Sequence, residues 1–415
     1  MNTVFDIQDT FSNRVSYWLL GAFLVLLPFD FFYSELALAC FALHTLIHLK
    51  KEKLANVLTR KAGVPILFFL LSAVAILYSP DIPEGISVTT RQLAILLMPV
   101  LMALSNLDFR RHGEGLLLVF AFSCSVTVTW LFADALYTIY FFHLPLSCLL
   151  SPAFMNHNFS SGIGLHATYL SVYVAFSIVI LWYGLLKGVK RGAQYLYIVC
   201  LLALLAAMLQ LSSRAAFIGL LLVLNIIFPL LLRGYGKRKI FFIGTGLLSA
   251  GILMLIFSSG AFKERYVNEL KSDLSLNPSV VESMEPRALR WKASWELVRE
   301  SPLFGHGSGS EKRLLKNKYF EKKMYSSYVN EFNAHNQYLA LLINTGFLGL
   351  LVFAGILFYA ARAAWSEKDV LFFSFLLLVI VVCISENFLE LNKGIFFYSF
   401  FLSFFLERMY RNASR

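Results

Sequence analysis

Residues 330–353 read "NEFNAHNQYLALLINTGFLGLLVF", and this stretch changes from a polar segment into a long apolar run. From Leu339 onward it is apolar enough to lie in a bilayer, where a transmembrane helix needs about 20 mainly apolar residues. Four polar side chains, those of His335, Asn336, Gln337 and Tyr338, stand immediately before that run. The stretch therefore predicts a membrane helix whose first turn carries polar side chains that can take part in a reaction.

The rest of the chain has the same apolar character. Of its 415 residues, 58% are hydrophobic and only 15% are charged, and the mean hydropathy is +0.68. Such a chain cannot cover its core with a water-soluble surface. We predict an all-α, polytopic membrane protein, whose first span is retained rather than cleaved as a signal peptide. About twelve runs are long enough to span a bilayer, near residues 16–33, 34–49, 64–80, 88–105, 115–142, 164–186, 194–212, 213–232, 239–258, 336–361, 369–387 and 394–408.

The distribution of positive charge predicts the orientation. If the N-terminus is cytoplasmic, the short inner segments hold nearly all the Lys and Arg residues of the short loops, and the short outer ones hold only Arg91, Arg214 and Lys393. The positive-inside rule then places both termini in the cytoplasm. The net charge of +11 is therefore explained by the orientation of the protein in the membrane, and no nucleic-acid partner is expected. The five cysteines, four of them in predicted spans, indicate neither a disulfide framework nor a structural zinc site.

One outer connection, from about Gly260 to Asn333, is long enough to have a function. In its segment "EPRALRWKASWELVRESPLFGHGSGS", Ala288, Trp291, Trp295 and Val298 fall on one helical stripe. This spacing predicts an amphipathic helix on the membrane surface or over the bundle, ended by a turn rich in glycine. We therefore divide the chain into helices 1–9 (residues 1–258), a large outer loop (259–334), and helices 10–12 with a short cytoplasmic tail (335–415).

Polar residues at the outer ends of the spans are the candidate functional groups, because a charge at membrane depth is costly. Arg214 follows two serines at a helix start, which is a typical anion site, although an arginine there can also be an interface anchor. Arg91 could be structural or ligand-binding. Asp134 and Glu386 could support the site or simply pair with a cation. Within the outer loop, Arg287 is expected to face the membrane and Arg290 to stay solvated.

His335 is the candidate general base. At the first turn of a helix, the positive end of the dipole disfavours the imidazolium form, which favours a neutral ring able to accept a proton. His166 is a rival base, and His306 is a weaker one because it lies in a glycine-rich turn. The sequence contains no D-x-D pair, no H-E-x-x-H, no P-loop and no G-x-S-x-G. We therefore expect no metal and no cofactor, and phosphate would have to be bound by arginines.

Three segments in this order, "SSRAAF", "EPRALRWKASWELVRESPLFGHGSG" and "NAHNQYLALLINTGFLGLL", resemble the O-antigen ligase and polymerase superfamily. The loop pattern of that superfamily is matched by Arg287, Trp291, Pro302, Gly305 and Gly307. The His-Asn-x-Tyr-Leu pattern is matched at residues 335–339. Two further segments, "HATYLSVY" and "SENFLE", are weaker matches.

The resemblance implies a metal-independent, inverting glycosyltransferase in the bacterial inner membrane, with a periplasmic active site. The donor would be a glycan on undecaprenyl diphosphate, and the acceptor a sugar hydroxyl of lipid A-core or another saccharide. Arg214 and Arg287 would bind the diphosphate, and His335 would be the base. Arg91, His166, Asn336, Tyr338, Asp134 and Glu386 are possible supporting residues. Trp291 and Trp295 would dock the loop helix at the interface.

Two other functions stay open at this point. A polymerase of the same superfamily, which extends a polyprenyl-linked O-antigen or exopolysaccharide, would use the same donor site. The ligase is favoured because "HATYLSVY", "SENFLE" and the single long loop look like the ligase branch. A transporter of lipids or glycans could use the same arginines to bind a headgroup.

Overall fold

The computed structural model describes residues 7–29, 31–232, 238–258, 260–275 and 285–409, and all regular structure in these ranges is helical. The longer helices are α1 (Phe11–Leu26), α2 (Phe31–Ile47), α3 (Arg60–Val74), α4 (Ile82–Arg91), α5 (Leu93–Leu104), α6 (Phe109–Phe141), α7 (Ala167–Lys187), α8 (Arg191–Leu211), α9 (Arg214–Leu222), α10 (Arg238–Ser258), α11 (Arg287–Glu300), α12 (Ser310–Glu321), α13 (Gln337–Ser366), α14 (Val370–Val382) and α15 (Asn392–Met409). Short α-helical turns connect them at Leu54–Val57, His157–Ser160, Phe228–Leu231, Gly260–Lys263, Glu269–Asp273 and Tyr325–Val329.

Seven helices in the described ranges are long and apolar enough to cross a membrane. They are Arg60–Tyr78, Ile82–Leu104, Phe109–Phe141, Ala167–Lys187, Arg191–Leu211, Arg214–Leu231 and Gln337–Ser366. The other five predicted runs also contain helices, namely α1, α2, α10, α14 and α15. Helix α2 is long and apolar enough only together with the segment Lys51–Val57, from which it is separated by a bend of 116°, and the other four are not over their described residues. The expected number of about twelve spans therefore stays a prediction.

Parts of the predicted outer loop and tail lie outside the described residues. This applies to residues 276–284 in the loop, to the tail from residue 410 onward, and to four of the basic residues counted on the inner side, Arg233, Lys237, Arg411 and Arg415.

The centre of the bundle is built largely from aromatic rings. Helix α15 is apolar on all sides, and nearly all of its side chains are buried, as expected for a helix surrounded by others. Phe401 packs on Phe120 of α6 and on Phe176 of α7, with ring centroids 5.0 and 4.9 Å apart. Phe397 stacks on Tyr173 of α7 at 5.0 Å. These contacts hold α6, α7 and α15 together at the core.

Helix α13 is sharply bent at Gly346, whose φ of 64° and ψ of −163° are not helical. The rings of Tyr338 and Phe353, on opposite sides of the bend, are only 6.2 Å apart. In a straight helix these two residues would be separated by about 22 Å along the axis. The helix therefore folds back into a short arm, residues 337–345, and a long arm, residues 347–366.

The bend breaks the hydrogen bonding of the helix, and the loop segment at residues 302–309, which we call the glycine turn, replaces the lost partners. Two carbonyl groups before the bend accept from the glycine turn, and two N–H groups after the bend donate to it. The four bonds are His306 N to Ile343 O (2.8 Å), Gly307 N to Asn344 O (2.9 Å), Phe347 N to Pro302 O (2.8 Å) and Leu348 N to Leu303 O (3.2 Å). The predicted turn is thus present, and it is the element that makes the bend possible.

The bend also sets the depth of His335. Because Tyr338 lies beside Phe353, seven positions into the long arm, the start of the short arm lies about 10 Å below Gly346 along the span. The backbone of Gln337 is at the same level as the end of α14, since its N–H donates to Cys383 O at 2.8 Å. His335 therefore lies beside the end of α14 rather than at the top of a straight helix.

Gly346→Ala is expected to destabilise the protein. A Cβ atom at this position would lie 2.3–2.6 Å from the backbone of Leu303 and Phe304, and the positive φ adds about 1–2 kcal/mol of strain. Gly355→Ala, in the long arm, is the matched control because a Cβ there meets nothing within 4 Å. Thermal unfolding in detergent should show a lower midpoint for the first variant alone, and equal midpoints would contradict the bent helix.

Candidate active site

His335 is held in an unusual backbone conformation by contacts on both sides. Its φ is 46°, in the left-handed region that residues other than glycine rarely adopt. The preceding Ala334 donates its N–H to Glu311 Oε1 at 2.8 Å, and the following Asn336 donates its N–H to Asn387 Oδ1 at 2.9 Å. These bonds compensate for the backbone strain and fix the direction of the imidazole ring.

Glu311 is the centre of this network, and its importance could not be read from the sequence. Its buried carboxylate accepts two hydrogen bonds from Asn387 Nδ2, at 2.9 and 3.1 Å, besides the bond from Ala334. Burial raises the pKa of the Glu311 carboxyl well above its usual range, and the neighbouring Glu390 raises it further. The network joins α12, the start of α13 and the segment between α14 and α15.

The imidazole of His335 pairs with the carboxylate of Glu386, with Nδ1 and Oε2 3.3 Å apart. Burial alone would raise the pKa of Glu386, but the hydrogen bond and charge of His335, together with the charges of His166 and Arg287, hold that pKa below its usual range. An ionised Glu386 accepts from Nδ1–H, which leaves the Nε2 lone pair available.

His166 does not contact His335 directly, but it lies close to the same carboxylate. It caps α7 by accepting from Thr168 N at 3.4 Å, and the Thr168 hydroxyl donates to Glu386 Oε1 at 3.4 Å. The ring of His157, which no motif in the sequence marks, is 4.0 Å from that of His166. The pKa of the His166 imidazole is lowered to about 4, mainly by burial; the charge of Glu386 opposes this, and the charges of His157, His335 and Arg287 add to it.

The two candidate diphosphate-binding arginines converge on one carboxylate. Arg214 Nη2 donates to Asp273 Oδ2, and Arg287 Nε lies 3.6 Å from the same oxygen. Arg287 also donates through Nη1 to Ser385 O at 2.9 Å, directly beside Glu386. The residues at 385 and 386 therefore connect the arginine pair with the His335 pair, so the structure brings all three principal site residues into one region.

Other predicted supporting residues have structural contacts. Asn336 caps α13 by accepting from Tyr338 N and Leu339 N at 3.0 and 3.1 Å, and the Tyr338 hydroxyl donates to Ile380 O at 2.9 Å. Arg91 bonds to two residues of its own helix α4, Ser87 and Glu84.

Asp134 lies beside Gly162, where a Cβ atom would be 3.4 Å from Asp134 Oδ2. It forms no ion pair with any residue in the described ranges, so the expected pairing with an arginine is not found.

The buried face of the loop helix α11 differs from the predicted stripe. Val298 is buried as expected, but Trp295 is 40% exposed, and the buried residues are Arg290, Ala293, Ser294, Leu297 and Val298. The expectation that Arg290 stays solvated was wrong, because its guanidinium lies over the ring of Phe332 at 5.0 Å. Trp291 donates from Nε1 to Ala334 O at 2.9 Å, and thereby helps to hold the backbone before His335.

His306 has a structural position, in agreement with its place in a tight turn. Its Nε2 is 2.9 Å from Leu297 O, and its backbone belongs to the glycine turn. The described part of the chain contains no group of three or more His, Cys, Asp or Glu side chains arranged to hold a metal ion.

With this geometry established, comparison with known proteins is informative. Residues 198–354 match a family model described as O-antigen ligase. The match covers less than half of the chain. The resemblance seen in the sequence motifs is thereby confirmed. Arg214, Arg287 and His335 all lie inside the matched residues, whereas Glu386 and His166 lie outside them.

One similar protein comes from Haemophilus influenzae and is named only as an uncharacterized protein. It is 26% identical over 246 residues, which are 55% of this chain and 60% of the relative. The match therefore covers less than two thirds of that relative, and its name assigns no reaction.

The lowered pKa of His166 predicts a loss of stability in acid. The unfolded imidazole binds a proton below its ordinary value of 6.5, whereas the folded one does so only near 4. The native state is therefore destabilised as the pH falls through this interval, by up to about 3 kcal/mol. His166→Asn keeps a capping acceptor but removes the titration. The thermal midpoint of the variant should fall less than that of the wild type between pH 7 and pH 4; parallel curves would contradict this assignment.

Proposed function

We propose that the protein is a glycosyltransferase of the O-antigen ligase type, which transfers a glycan from undecaprenyl diphosphate to a sugar hydroxyl of lipid A-core. The observation that carries the proposal is that residues 385 and 386 connect the arginine pair with the His335–Glu386 pair. Arg287, one of two arginines suited to a diphosphate, bonds to Ser385 O, and the next residue, Glu386, pairs with His335. Arg214, Arg287 and His335 all lie within residues 198–354, which match the family model described as O-antigen ligase.

The arginines supply the leaving-group chemistry. Arg214 and Arg287 present guanidinium groups to one anion position, now held by a carboxylate. A guanidinium can form two parallel hydrogen bonds to a phosphate, and its fixed charge stabilises negative charge that develops as the bond to the diphosphate breaks. Two arginines can therefore assist departure of undecaprenyl diphosphate without a metal ion.

His335 supplies the base. Its Nδ1 faces Glu386, so Nε2 is the atom that takes the proton from the acceptor hydroxyl. The acceptor oxygen forms a new bond to the anomeric carbon while the bond from that carbon to the diphosphate oxygen breaks, which inverts the configuration. Glu386 stabilises the imidazolium that forms, so it is a positioning residue rather than a group that touches the sugar.

The depth of the site suits a lipid-linked donor and a water-borne acceptor. The start of α13 lies about 10 Å from the bend at Gly346 along the long arm, and we expect a membrane-anchored diphosphate to reach it from the bilayer and a sugar to reach it from the aqueous side. With the positive residues on the inner side, the protein would be a multi-pass protein of the bacterial inner membrane, with cytoplasmic termini and a periplasmic active site.

His335→Gln tests the base. Turnover is expected to fall by about 10²–10⁴-fold, the usual contribution of a general base, while binding of the donor is retained because both arginines are intact. Asp134→Asn is the control, since Asp134 has no ion pair among the described residues, and its transfer rate should equal that of the wild type. Undiminished glycan transfer by the His335 variant would contradict the assignment of His335 as the base.

The product identifies the reaction. Purified protein in liposomes is supplied with undecaprenyl-diphosphate glycan and lipid A-core without added metal, and the products are separated on a gel. Glycan on lipid A-core is expected. A ladder of longer chains that stay on the polyprenyl carrier would instead identify a polymerase, and the absence of any new glycosidic bond would refute both enzymatic functions.

A further inference from the structure

The anion position between the two arginines is occupied by a side chain of the protein itself. A single oxygen, Asp273 Oδ2, accepts from Arg214 Nη2 and lies 3.6 Å from Arg287 Nε. The side chains of Arg214 and Arg287 are only 13% and 23% exposed. Charges with so little access to water need a counter-charge nearby, and Asp273 provides it.

Asp273 belongs to a segment that lies against the site by several contacts. The short helix Glu269–Asp273 follows Arg265, whose carbonyl oxygen accepts from Arg214 Nη1 at 3.5 Å. Arg265 in turn donates to Glu269, four residues further along. Residues 264, 265 and 269 line a cavity of about 380 Å³, together with Ser212 and His157. The segment that carries Asp273 thus borders this cavity through residues that precede Asp273 in the chain.

A carboxylate and a diphosphate compete for the same partners. Both offer oxygens that accept from guanidinium, but a diphosphate linking a lipid to a sugar carries a negative charge on each phosphate and more acceptor oxygens. Asp273 and a diphosphate cannot share the arginine pair at this distance, because like charges at close range in a poorly solvated site repel strongly. Binding of the donor therefore requires Asp273 to leave.

We propose that Asp273 is an internal substitute for the donor's diphosphate and sets the affinity of the arginine pair for it. This inference rests on the diphosphate site of the proposed function. In the empty site Asp273 keeps Arg214 and Arg287 in place. After transfer, its return to the arginines competes with the undecaprenyl diphosphate that has been formed, and so speeds release of this product.

The test uses inorganic pyrophosphate as the probe and the purified full-length protein in detergent, without divalent cations, with binding measured by calorimetry. Asp273→Asn keeps the size of the side chain but removes the competing charge. Binding is expected to become at least about tenfold tighter, within the range measured for close charge pairs. A residue that only maintained the fold would weaken binding when changed, so a gain of affinity distinguishes the two roles.

Glu264→Gln is the matched control. Glu264 lines the same cavity, and its carboxylate bonds to Asn268 rather than to an arginine. Its affinity for pyrophosphate should equal that of the wild type. In the Asp273→Asn background, Arg214→Ala should abolish the gain, which shows that the probe binds at the arginine pair.

Each result decides the inference. Equal or weaker binding by Asp273→Asn, with a wild-type thermal midpoint, would overturn it, as would a gain that persists without Arg214. If no variant binds pyrophosphate, both the inference and the diphosphate site fail. If Asp273→Asn binds pyrophosphate more tightly but no glycan is transferred in liposomes, the role of Asp273 as a substitute for the diphosphate is supported and the proposed enzymatic reaction fails.

Discussion

The rest of the site depends on the pairing of the glycine turn with the broken helix α13. A helix interrupted at membrane depth leaves backbone N–H and C=O groups without partners, and each such group is costly in an apolar medium. Here the loop supplies both donors and acceptors to the bend at Gly346. Because this exchange involves backbone atoms on both sides, it fixes the direction of the short arm and with it the position of His335. The loop helix α11, the turn and the membrane helix thus act as one rigid unit.

A second layer of polar contacts builds on this frame. Glu311 and Asn387 hold the backbone on either side of His335, and Trp291 holds Ala334 from the loop side. None of these residues needs to touch a substrate. Their effect is to keep a strained histidine beside Glu386. The charges of the site are provided by different elements: α9 contributes Arg214, α11 contributes Arg287, and the segment after α14 contributes Glu386. The site therefore exists only when the outer loop is docked on the membrane bundle.

Much of this arrangement could be predicted from the sequence, and the failures have physical causes. Apolar runs located the helices, and three short motifs located Arg214, Arg287 and His335. The bend was missed because glycine is common in membrane helices, and nothing in "LINTGFLG" marks the loop carbonyls and amides that meet it. Arg290 was misjudged because its burial depends on Phe332, a residue distant in the chain. Asp273 and Glu311 stand among many charges in a polar loop, so their partners, and hence their roles, emerge only in three dimensions.

The aromatic centre of the bundle has a consequence for how the protein is made. Helix α15 is enclosed by helices that precede it in the chain, and its rings pack on Phe23 of α1, Phe120 of α6 and Phe176 of α7. During synthesis the surrounding helices enter the bilayer before the one they enclose. Until residues 392–409 have been translated, the assembling bundle has an open slot that lipid must fill, and closure expels that lipid. Assembly of the membrane part is therefore a late, concerted event, and an interruption of translation before α15 leaves a bundle without its centre.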